Sequence, residues 1–167
     1  RTRGRPINWQ SWSPDGRLVI FSSIGNGIFE ARADGASQPH ELMPSNVLRS
    51  VGSFTPDGKR LVYTEAPNNG IWTVPVFDEG GHLKAGTPEP FLKSTVSDLL
   101  PAFSPDGRWL AYQSNESGTN EIYVRAFPAP TSGPGSKWQI SNNGGTYPRW
   151  VRTGHDLLYQ SGDQILT

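Results

Sequence analysis

No cysteine occurs among the 167 residues, and methionine occurs once. A disulfide scaffold, a thiolate zinc site and a cysteine nucleophile are thereby excluded. An excess of charge of one sign is also missing, since 15 Lys+Arg balance 15 Asp+Glu. That balance removes the electrostatic basis for non-specific binding to nucleic acid or an anionic membrane. No apolar run approaches the roughly 18 residues of a membrane span, so no membrane insertion is expected from this segment. Helical periodicity is not sustained anywhere. An initiator Met and a signal-peptide pattern are lacking too, and Arg1 to Pro6 reads as the start of a segment cut from a longer chain.

Glycine (19) and proline (15) are abundant instead. Together they make about a fifth of the chain, against roughly 12% in average usage. Neither is tolerated inside helices, which argues against a helical bundle. Their placement is periodic. Trp12-Ser13-Pro14-Asp15-Gly16 recurs as Phe54-Thr55-Pro56-Asp57-Gly58 and as Phe103-Ser104-Pro105-Asp106-Gly107, with a degraded copy at Trp150 to Gly154. The glycines are 42, 49 and 47 residues apart. An aromatic, a turn and a β-rich run at that period match one four-stranded propeller blade.

Ser/Thr-Pro-Asp-Gly is a hairpin turn: Pro pre-sets φ, Asp bonds nearby backbone, and Gly takes the left-handed position. Gly16, Gly58, Gly107 and Gly154, with Asp15, Asp57 and Asp106, are therefore read as structural turn residues. A second strand follows each turn at Val19-Ile20-Phe21, Leu61-Val62-Tyr63, Leu110-Ala111-Tyr112 and Leu157-Leu158-Tyr159. These short apolar runs suit strands covered on both faces. Third strands follow at Ile28, Ile71, Ile122 and Ile165, and fourth strands at Glu41 to Met43, Phe91-Leu92 and Trp138 to Ser141. Long inserts at Asp78 to Gly86 and Pro128 to Ser136 are expected to face solvent. The reading is all-β: a partial β-propeller of about three and a half four-stranded blades, approximately 7–44, 47–93, 97–141 and 146–167, within one incomplete domain.

The unit from Phe103 to Tyr112 resembles the repeat of the TolB-like β-propellers, a WD-like family found in bacterial envelope proteins. The resemblance covers nearly the whole chain and implies a fragment of a six-bladed or larger ring. A narrower likeness runs through Glu121 to Pro128, Trp138 to Ser141, Gly144-Gly145 and Pro148-Arg149-Trp150. That stretch is similar to the C-terminal propeller of bacterial receptor-like serine/threonine kinases. No Val-Ala-Ile-Lys, His-Arg-Asp or Asp-Phe-Gly motif occurs, so kinase chemistry has no seat in this segment.

The repeats bring together no convergent catalytic set in sequence. The turn aspartates fall one per blade and do not converge on one cation. His40, His82 and His155 are far apart along the chain, outside any His-Glu-x-x-His segment, so no zinc site is expected. His155 shares a column with Arg17, Lys59 and Arg108. A Gly-x-Ser-x-Gly elbow is missing, so no serine hydrolase centre or cofactor is expected. Trp12 and Trp150 share the pre-turn column with Phe54 and Phe103, and Trp72 shares one with Phe29 and Tyr123; both columns are read as core. Trp9, Trp109 and Trp138 are less constrained and offer aromatic surface.

Propellers bind at one end of the central channel through loops entering the innermost strands, here 45–50, 95–99 and 142–149. Arg49, Asp98, Tyr147 and Arg149 are the candidate binding-face residues. The expected function is a non-catalytic, extracytoplasmic binding or sensing module. Its partners would be a protein or small molecule at the propeller face and the remaining blades of the same propeller. Two alternatives stand: the sensor part of a transmembrane serine/threonine kinase, or the propeller of a prolyl-oligopeptidase-like hydrolase.

Overall fold

Three turns of nearly identical geometry organise the chain. In the first, the Ser13 hydroxyl donates to Asp15 Oδ1 at 2.6 Å and accepts the Leu18 amide at 2.9 Å. The Gly16 amide donates to the Ser13 carbonyl at 2.9 Å. Thr55 and Asp57 repeat this at 2.6 Å, as do Ser104 and Asp106. Gly16, Gly58 and Gly107 take φ of 72°, 70° and 71°, a left-handed backbone that disfavours side chains. The hydroxyl residue is therefore as necessary as the Pro and Gly, because one oxygen fixes both the Asp and the start of the next strand.

The structure, a computed structural model, describes residues 7–23, 25, 27–67, 70–129, 136–153 and 156–167, without the side chains of Ile7 and Asn8. Gly154 and His155 lie outside the described residues, as does most of the second insert. Strands β1 (Ile7–Trp12), β2 (Leu18–Ser23), β3 (Gly27–Arg32) and β4 (His40–Pro44) form the first sheet. The second contains β5 (Arg49–Phe54), β6 (Arg60–Glu65), β7 (Gly70–Glu79), β8 (His82–Ala85) and β9 (Glu89–Leu92). The third contains β10 (Asp98–Phe103), β11 (Trp109–Ser114), β12 (Glu121–Ala126) and β13 (Lys137–Gln139). The fourth contains β14 (Thr146–Trp150), β15 (Leu157–Ser161) and β16 (Gln164–Leu166). There is no helix among the described residues. The protein is all-β, four small antiparallel sheets arranged as propeller blades, with inner strands β1, β5, β10 and β14 packed in that order.

The core lies between blades. One apolar cluster joins Leu18, Ile20 and Ile28 of the first sheet to Phe54, Leu61 and Tyr63 of the second. Another joins Val62 and Ile71 to Phe103 and Tyr112; the third joins Ala111 and Ile122 to Leu157 and Trp150. Phe54, Phe103 and Trp150 thus each pack onto the blade before them. Trp150 adds an indole N–H bond to the Ala102 carbonyl at 3.0 Å. Trp12 departs from the core expectation: it is 58% exposed, since no described blade precedes it. At the other end Ile165 is 76% exposed, whereas Ile28, Ile71 and Ile122 are fully buried. Strands β6 and β11 are buried on both faces, whereas β2 alternates between buried and half-buried.

The first insert departs from a solvent-facing loop. Strand β7 runs on past the blade, pairing β9 with its first half and β8 with its second. The β7–β8 ribbon reaches across to β4 of the neighbouring blade. Leu83 and Ala85 pack against the first core cluster, which explains why an insert of this composition folds down.

Candidate functional site at the propeller channel

The inner strands share a defect three residues before the pre-turn aromatic. Pairing slips between Asn8 and Gln10, Val51 and Phe54, Leu99 and Ala102, and Thr146 and Arg149. In β10 and β14 the next residue is Pro101 or Pro148, which has no amide to give the ladder. Trp9, Leu100 and Tyr147 occupy this position with φ of 51°, 54° and 55°. Left-handed backbone at a non-glycine residue is disfavoured by about 1–3 kcal/mol, and bulges re-aim the side chain they carry. Here all three aim at one cavity of about 250 Å³, which Val51 of the second blade also lines. Ser50, Gln113, Asn120 and Thr146 supply polar groups around it. Trp9 and Tyr147 remain 37% and 57% exposed at its mouth.

Of the four residues chosen from the channel loops, Tyr147 lines this cavity. Arg49 is held elsewhere: its Nε donates to Glu65 Oε2 at 2.6 Å, and its guanidinium lies 5.4 Å from the Tyr63 ring centroid. Arg149 is exposed on β14, paired with Leu158. Asp98 is buried at the start of β10. Neither of its carboxylate oxygens has a hydrogen-bond partner among the described residues. Burial pushes its pKa up, with Ser114 and Ser94 as moderating polar neighbours. The turn aspartates are opposite in character. Hydrogen bonds from Ser13, Thr55 and Ser104, followed by those of the Arg17, Lys59 and Arg108 amides two residues on, hold Asp15, Asp57 and Asp106 below the usual carboxylate range, Asp106 at about 2.

Neither Leu100 nor the strain at Trp9 had a direct sign in the sequence. The available signal was positional: the column three residues before each pre-turn aromatic holds large apolar side chains in every blade. A second aromatic concavity, of about 860 Å³, lies between the third and fourth blades. Trp109, Trp138 and Trp150 line it with Arg108 and Arg152, and Trp109 meets Trp138 edge-on at 5.2 Å.

Two of the three histidines come together in space despite their distance along the chain. His40 on β4 is paired across the ladder with Glu30 on β3. The β7–β8 ribbon brings His82 to the same carboxylate, at 2.7 Å from Nδ1 to Oε1. The two imidazole centroids are 4.9 Å apart. Glu30, His40 and His82 are the metal-capable cluster among the described residues.

No protein-family model matches the chain. The Tol-Pal system protein TolB of Thioalkalivibrio sulfidiphilus (strain HL-EbGR7) is 29% identical over 155 residues, covering 74% of this chain and 34% of that protein. The chain thus spans about a third of that relative's length. The crystal structure of TolB from Acinetobacter baumannii superposes with a TM-score of 0.63 at 18% identity, over 96% of this chain and 39% of that one. A Mycobacterium tuberculosis puromycin-hydrolyzing peptidase gives 0.63 at 18% identity, over 92% and 27%. The resemblance to TolB-like propellers holds in sequence and in three dimensions, and at these identities the solved structures speak for the fold alone.

Proposed function

We propose that this chain is a non-catalytic, extracytoplasmic binding module that takes an apolar or aromatic segment of a protein partner at its channel. The observation that carries this reading is the convergence of Trp9, Leu100 and Tyr147, each on left-handed backbone, on one cavity. Strain repeated at one register in three blades is retained where a surface must present particular side chains. Exposed aromatics beside amides and hydroxyls suit a peptide with an apolar anchor, as at protein-binding hot spots. The likeness to the Tol-Pal protein TolB supports an envelope location. The exposed faces at Trp12 and Ile165 support further blades of the same ring as intramolecular partners.

The test uses immobilised protein and a bacterial envelope extract. A retained protein should be lost with the paired substitution Trp9→Ala and Tyr147→Ala, and kept with Trp138→Ala, which lies outside the channel. Equal retention by the paired variant would sink the channel reading. A second reading is the propeller of a hydrolase, since the peptidase neighbour shares this fold. Turnover of ester or peptide substrates by the purified chain, abolished by replacing one serine, would establish it over the first.

A further inference from the structure

Glu30 is an unusual place for a carboxylate. It sits mid-strand in β3, 1% exposed, at the seam between the first blade and the β7–β8 ribbon of the second. Its Oε2 accepts the Leu83 amide at 2.9 Å, which fixes the plane of the group. The other oxygen, Oε1, then faces both imidazoles: His82 Nδ1 at 2.7 Å and His40 Nδ1 at 3.7 Å. One hydrogen bond from His82 satisfies that oxygen. His40 is not needed for it, yet it is aimed at the same atom.

We propose that Glu30, His40 and His82 form a binding site for a divalent transition-metal ion of the zinc class. Two imidazole nitrogens and one carboxylate oxygen are the donor set that zinc accepts with a fourth position left for water. The three donor atoms lie within 4.8 Å of one another. A tetrahedral ion with bonds of about 2.0–2.1 Å holds its donors about 3.3–3.4 Å apart. The required adjustment is therefore small: the His82 contact opens and the longer separations close. It falls on the two histidine side chains, which are 48% and 53% exposed, rather than on the buried carboxylate. The Leu83 amide orients the ligand as outer-shell donors do in metal centres. The hydrogen bond between His82 Nδ1 and Glu30 Oε1 gives way when the ion enters. Imidazoles select zinc, copper or nickel over calcium or magnesium, which prefer all-oxygen shells. Because β3 and β4 belong to one blade and the ribbon to the next, the ion would cross-link two blades.

The experiment is a titration of the metal-free chain with Zn²⁺, read by calorimetry and by melting midpoint, repeated with Co²⁺ for its visible absorption. One saturable equivalent per chain is expected, with a raised melting midpoint and the intense d–d bands of low-coordinate Co²⁺. His82→Ala and Glu30→Gln should each weaken binding at least tenfold. His40→Ala is the decisive variant: it should weaken Zn²⁺ binding at least tenfold while leaving the metal-free melting midpoint unchanged, because the hydrogen bonds to Glu30 do not require it. His155→Ala should bind as the parent does. The proposal is overturned by non-saturable binding, by undiminished binding in His40→Ala, or by loss of binding in His155→Ala.

Discussion

A buried carboxylate without a donor has a definite effect on stability. Asp98 has its folded pKa raised above the unfolded value of 3.8 by burial. Between those values the folded chain holds a proton that the unfolded chain has released, so stability falls as pH rises through that interval. Above it the ionised group stays buried, with Ser114 and Ser94 to moderate the penalty. Asp98→Asn should remove that slope and raise the melting midpoint at neutral pH; a lowered midpoint would mean that the ionised carboxylate has a partner in the folded protein. Asp106 works in the opposite sense. Its folded pKa of about 2 gives stability that is present above 3.8 and lost as pH falls towards about 2. Acid unfolding curves of Ser104→Ala should shift to higher pH, since the hydroxyl is the main cause of the depression.

At the scale of turns and strands, two glycines carry different burdens. A Cβ at Gly58 would meet nothing closer than Pro14 at 3.7 Å, so substitution is penalised through backbone strain alone. Gly58→Val should destabilise by more than about 1 kcal/mol. Gly52, on the inner strand β5, lies against the next blade: a Cβ there would stand 2.3 Å from the Pro101 carbonyl. Gly52→Ala should destabilise by about 1–3 kcal/mol through overpacking, because a backbone atom cannot rotate away. Thermal melts of both variants check the pair. Turn chemistry of this kind was legible in the sequence, because local residues set it and it recurs. The β7–β8 ribbon was not: its partners lie on another blade, and a polar insert with Gly80-Gly81 reads as a loop until Leu83 and Ala85 are seen against the core. The same cause hid the meeting of His40 with His82.

For the whole molecule, the pre-turn column shows that position in the array outweighs residue type. Phe103 is 6% exposed between two blades, and Phe103→Ala should destabilise by about 3–5 kcal/mol. Trp12 in the same column is larger but 58% exposed, and Trp12→Ala should shift the melting midpoint little. Equal losses would contradict the blade-to-blade packing described here. Repeat, blade size and strand order were readable because each blade restates them. The channel was read only in outline, since which side chains reach it depends on bulges that no composition reveals.

The direction of that packing has a geometric consequence. One face of every blade contributes the ring and the opposite face provides its seat, so the contact is heterologous. Two copies meeting through the same face would set ring against ring or seat against seat, which does not reproduce the contact made between blades. Head-to-tail addition does reproduce it, and it extends the arc with a constant rotation per step: a closed ring where the rotation divides the circle, an open helix where it does not.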